Sequence, residues 1–170
     1  AGSTDADWRE KAERDGYIVI SPSAPNGQLF FQGGDRVFPD FLDYIKDTYP
    51  VAGNKLHVTG ISNGGLSAFH VASLYPEYFT SVTGYPGLLN GVSDAKLEAL
   101  RPLCIYMHVG DRDTSWRSAM QKQYQSLQER GYNISFDVET DQNHVLDVRK
   151  DNLRERLFAE LDRARSGCSN

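Results

Sequence analysis

The segment Gly60-Ile61-Ser62-Asn63-Gly64-Gly65 sets a serine among closely spaced glycines. The apolar run LHVT precedes it and LSAFHVASL follows it. The serine therefore falls on a tight turn between a strand and a helix. Such a turn holds a hydroxyl at the strand's carboxyl end, where the backbone N–H groups of a helix N-terminus converge. Ser62 is accordingly expected to act as a nucleophile. Glycines at 60 and 64 are expected to relieve crowding around a strained backbone.

A serine hydroxyl needs a base, and the base needs an acid to orient it. The chain has four histidines. His57 and His108 lie inside apolar strand-like runs, and His70 lies within the helix after the serine; these three read as structural. His144 follows the last strand, in the loop Thr140-Asp141-Gln142-Asn143-His144. With a chain order of nucleophile, acid, then histidine, it is the expected base. The acid should follow the preceding strand, where the chain reads Gly110-Asp111-Arg112-Asp113-Thr114. Both aspartates qualify by location. Asp113 is preferred because it lies deeper in the loop, and it could also cap the next helix. Asp111 has the alternative role of holding a turn.

The elements that must position these groups alternate along the chain. Apolar β-rich runs are expected as strands at 17–21, 56–59, 79–84, 103–109 and 134–138. Helices are expected at 7–14, 37–48, 64–74, 94–100, 115–130 and 146–164. Gly16 and Gly131 serve as stops, and residues 22–34 form a Pro- and Gly-rich loop. Five continuously apolar strands alternating with helices predict an α/β fold: a three-layer α/β/α sandwich around a mainly parallel sheet. Ligands bind at the carboxyl ends of such strands, where the three candidate groups fall.

At 170 residues, 39% hydrophobic and 24% charged, the chain reads as a single globular domain without a lid. Its net charge of -5 carries no basic patch, so no nucleic-acid partner is expected. The apolar runs are too short to span a bilayer. No ligand-spaced histidines, CxxC, HExxH or phosphate-cradling loop appears, so neither metal nor cofactor is expected. Cys104, in an apolar run, reads as a buried thiol. Cys168 lies in a polar tail, and sequence alone does not establish a bridge between them. Around the site, Tyr85 and Trp116 are the expected substrate contacts. Phe30, Phe31, Gln28 and Gln32 read more simply as loop residues.

GISNGG at Ser62, GDRD ending in Asp113 and DQNH ending in His144 together resemble the serine esterases of the α/β-hydrolase superfamily. The similarity is to compact carboxylesterases, dienelactone-hydrolase-like proteins, and the polyhydroxybutyrate depolymerase and feruloyl esterase group. It extends over nearly the whole chain, and the family pattern also favours Asp113 as the acid. The resemblance implies hydrolysis of small-molecule or polymer-linked esters. It implies an oxyanion hole made by the Asn63 N–H and a second N–H from a loop after an earlier strand. Ala1-Gly2-Ser3-Thr4 looks like the tail of that loop, which places the second donor near or before Ala1. Earlier strands would then come from another segment or a second chain. A peptidase or thioesterase would use the same triad, and a non-catalytic binding protein could keep the same fold.

Overall fold

The computed structural model describes residues 2–168, with side chains described from residue 7 onward. Four parallel strands, β1 (Leu56–Gly60), β2 (Phe79–Gly84), β3 (Cys104–Gly110) and β4 (Ile134–Glu139), lie in the order β1-β2-β3-β4. Among the described residues, six α-helices cover them: α1 (Gly2–Asp15), α2 (Phe38–Thr48), α3 (Asn63–Leu74), α4 (Asp94–Leu100), α5 (Thr114–Glu129) and α6 (Leu153–Arg165). The α/β sandwich expected from the alternation of elements is the architecture observed.

Local chemistry accounts for the helix bounds. Pro39 stands in the first turn of α2, where its missing N–H costs nothing. Ser93 caps α4 by accepting from the Lys96 N–H. Gly131, with φ +78°, follows the end of α5. Along β3 the side chains alternate between two layers. Ile105, Met107 and Val109 join the core formed with α2, α3, α4 and α5. Cys104 and Tyr106 point instead toward α6, packing with Ala164. Every residue of β3 is buried, as a central strand of a covered sheet requires.

Two expectations fail here. Residues 17–21 do not form a strand. A strand needs a neighbour to take its N–H and C=O groups, and the described residues offer this segment no ladder. Ile18, Val19 and Ile20 remain 56%, 46% and 38% exposed. Between this segment and the open edge of β1 runs an apolar groove of about 490 Å³, lined in part by Ile18, Phe41, Val58 and Gly60. The last helix also begins later than expected, at Leu153 rather than 146. Asp151 and Asn152 take left-handed φ values of 50° and 55°, which interrupt the helical run. Leu146 and Val148 are buried, but as anchors of a loop.

A third correction concerns the cysteines, which form the Cys104–Cys168 disulfide with Cα atoms 5.5 Å apart. The helical turn ending α6 returns the chain over the start of β3, where Cys104 faces outward from the main core. The bridge closes a loop with a sequence separation of 64, which constrains the unfolded chain by about 4 kcal/mol. The variant carrying Cys104→Ala and Cys168→Ala should be destabilised by about that amount in urea unfolding. A reductant should lower the midpoint of the native protein and leave that of the double variant unchanged.

Candidate active site

The turn from β1 into α3 holds Ser62 at φ 57° and ψ -119°, a region a non-glycine residue occupies only when its surroundings impose it. Its neighbours do so. The Ser62 N–H donates to the Pro86 carbonyl at 2.9 Å, and the Tyr85 N–H donates to the Gly60 carbonyl at 3.0 Å. A Cβ at position 60 would lie 2.0 Å from the Gly64 carbonyl oxygen. A Cβ at position 64 would meet nothing within 4 Å, so Gly64 is not the crowded position expected of it. The second tight contact is at Gly65, where a Cβ would come within 2.2 Å of the Pro86 oxygen.

Ser62 Oγ lies 2.8 Å from His144 Nε2, and His144 Nδ1 lies 2.6 Å from Asp113 Oδ2. The three side chains come from the ends of β1, β3 and β4 and meet in one hydrogen-bonded line. The line fits a neutral imidazole with its proton on Nδ1, leaving Nε2 to accept from the serine. Asp113 precedes α5, but its carboxylate makes no capping bond and is turned to the histidine. Asp111 has a different part. Its carboxylate accepts from the Asp141 and Gln142 N–H groups at 3.0 and 3.2 Å. Those backbone bonds hold its carboxyl below the usual carboxylate range.

Asn63 is exposed and begins α3, so its N–H has no intrahelical acceptor. The second donor expected near or before Ala1 lies outside the described residues. Trp116 stands beside the histidine, with ring centroids 5.2 Å apart. Tyr85 adjoins the serine turn through its backbone, but its ring is buried against Trp8 at 5.8 Å between centroids, and burial pushes its hydroxyl up to about 12. The other histidines are structural. His57 shares a hydrogen bond with Ser81 Oγ and burial lowers it to about 4, while His70 faces Asp35 at 3.4 Å.

His108 is structural too, but as the centre of a buried charge cluster that its apolar surroundings in the sequence do not announce. It is fully buried, and its two ring nitrogens contact Glu139 and Glu160 at 2.9 Å each. Carboxylates only accept, so both nitrogens donate and the ring is an imidazolium. Burial opposes that charge, but the two carboxylates outweigh it and raise His108 to about 9. Burial also opposes charge on Glu139, yet its bonds to His108 and Arg156 bring it down to about 2. Asp137, 3.9 Å from His108, and Arg163, 3.8 Å from Glu160, complete the set of charges around it. His108, Asp137 and Glu160 offer ligand atoms within 4.8 Å of one another. With both imidazole nitrogens donating, however, the cluster is fitted to a proton rather than a metal ion. A sequence signal was present: Glu160 falls on the same helical stripe as Leu153, Leu157 and Ala164, a core position.

With this geometry established, relatives place the chain in a family. A family described as "Putative esterase" matches residues 35–163. The chain belongs to this family. It is 27% identical over 94 residues to feruloyl esterase B of Talaromyces funiculosus, covering 48% of this chain and 27% of that protein. It is 28% identical over 99 residues to acetylxylan esterase A of Aspergillus awamori, covering 51% and 33% respectively. The chain thus spans about a third or less of the length of these curated relatives. The crystal structure of Zea mays acyl-protein thioesterase 2 superposes with a TM-score of 0.58 at 16% identity, covering 87% of this chain and 70% of that one. At that identity the likeness is one of fold, that of the α/β hydrolases.

The buried imidazolium makes stability depend on pH in a defined direction. A histidine raised in the folded state stabilises fully below its unfolded value near 6.5 and loses that contribution as pH climbs through about 9. The lowered Glu139 stabilises above its ordinary 4.5 and loses its contribution as pH falls toward about 2. Denaturant midpoints measured across pH should therefore fall on both limbs. In a His108→Gln variant the decline between about 6.5 and 9 should flatten relative to wild type.

Proposed function

We propose that this chain hydrolyses carboxylic esters by acyl transfer through Ser62. The observation that carries the proposal is the line from Ser62 Oγ to His144 Nε2 at 2.8 Å and from His144 Nδ1 to Asp113 Oδ2 at 2.6 Å. His144 takes the hydroxyl proton as Ser62 attacks the ester carbonyl, and Asp113 stabilises the imidazolium that forms. The Asn63 N–H receives the developing oxyanion. The proton then passes to the leaving alcohol, an acyl-serine forms, and water activated by the same histidine releases the acid.

Trp116 flanks His144 and supplies an aromatic wall for the acyl or alcohol part. The connection between β2 and β3 carries one short helix, α4, an open arrangement that suits small esters and esters carried on a polymer. The names of the two fungal relatives, a feruloyl esterase and an acetylxylan esterase, favour the polymer-linked class. A further strand from another segment or a second chain would fit the apolar groove beside β1, whose lining reaches Gly60 and Ile61 next to the serine. An N–H delivered there would complete the oxyanion hole, a donor whose loss typically costs ~10²–10³ in rate.

Hydrolysis of p-nitrophenyl acetate, with a matching thioester and anilide, tests the reaction class. Ser62→Ala should reduce ester turnover to background, and Asp113→Asn should lower kcat by up to ~10⁴-fold. Equal rates for wild type and Ser62→Ala would exclude this nucleophile. A fluorophosphonate probe that leaves Ser62 unlabelled would point to a binding protein instead.

A further inference from the structure

His144 sits on a loop with little core packing at its tip. Its neighbours Asn143 and Val145 are exposed, Val145 by 71%, and the next buried side chain is Leu146. Something else must hold the imidazole at a hydrogen-bonding distance from both Ser62 and Asp113. Gln142 spans the loop. Its Oε1 accepts from the Asp147 N–H at 2.8 Å, and its Nε2 donates to the Asp147 carbonyl at 3.2 Å. One amide side chain thus pairs with both backbone groups of one residue, as a neighbouring strand would. Gln142 is itself only 4% exposed.

The main chain of Gln142 is anchored in the opposite direction. Its N–H donates to Asp111 Oδ1 at 3.2 Å, and its carbonyl accepts from the Arg112 N–H at 3.1 Å. A Cβ at position 110 would come within 2.3 Å of the Gln142 oxygen, so glycine lets the two loops touch. Asp111 and Arg112 belong to the same loop as Asp113. Gln142 therefore fixes the base's loop to the acid's loop through its backbone and closes the far side of the base's loop through its side chain.

We infer that Gln142 is a positioning residue for His144, a two-bond clasp that sets the imidazole between Ser62 and Asp113. The inference rests on the triad reading above. The residue type follows from the task. Only a side-chain amide at this length both donates and accepts; an apolar side chain offers neither, and an ionised glutamate presents only acceptors to the Asp147 carbonyl.

Gln142→Met keeps the length and volume and removes both bonds. It should lower kcat on p-nitrophenyl acetate ~10²-fold with little change in KM, the signature of a displaced catalytic group. Fluorophosphonate labelling of Ser62 should slow by the same factor. The far-downfield proton resonance of the His144 Nδ1–H bonded to Asp113 should broaden or vanish. Gln142→Glu should show a rate, relative to wild type, that recovers as pH falls and the new carboxyl regains a donor. A folded Gln142→Met protein with wild-type kcat would overturn the inference. So would a rate loss that merely tracks the unfolded fraction. If that variant does not fold, a Gln142→Glu rate ratio that is flat with pH overturns it. Full activity in Ser62→Ala would instead sink the triad reading, so the two failures are distinguishable.

Discussion

In a parallel sheet all strands end on the same side, and the candidate site follows from that constraint. β1, β3 and β4 each deliver one group, from loops that the chain separates by dozens of residues. The register of β3 on β4 pairs Gly110 with Glu139, so the loops bearing Asp113 and His144 leave the sheet side by side. The two loops then bond directly: the Asp111 carboxylate accepts from the Asp141 and Gln142 N–H groups, and the Arg112 N–H donates to the Gln142 carbonyl. A one-residue slip of β4 would break those bonds and turn each strand side chain to the opposite face.

Ser62 shows how such a framework sustains local strain. Its left-handed backbone costs on the order of 1–3 kcal/mol and persists only where the surroundings over-determine it. Here the Pro86 carbonyl takes its N–H, while Gly60 and Gly65 permit main chains to approach more closely than any side chain would allow. The strained turn, the loop after β2 and the first turn of α3 form a single packed unit.

The face bearing α6 is secured by different means. His108 on β3, Glu139 on β4 and Glu160 on α6 form a buried charged line, with Arg156 completing Glu139. Removing one member would leave another charged group buried and unpaired, so the group holds as a unit. The Cys104–Cys168 bridge fastens the far end of the same helix to the start of the same strand. Together these tie α6 to the strands whose ends carry Asp113 and His144.

The serine, histidine and aspartate that meet in one hydrogen-bonded line, and the α/β alternation, were legible because each depends on local pattern: glycines around a serine, charged residues directly after apolar runs, and strand and helix periods. Residues 17–21 read as a strand because their composition is β-like, but a strand is completed only by a neighbour, which no local run encodes. Tyr85 read as a site aromatic from its position after β2, yet packing turned its ring to Trp8. The disulfide, the His108 line and the Gln142 clasp join residues 64, 52 and 5 positions apart. The sequence by itself determined which residues could react and the order in which strands would present them. Only the tertiary structure decided which side chains meet, because pairing between distant segments depends on register and burial, which are properties of the packed sheet and not of any stretch of chain.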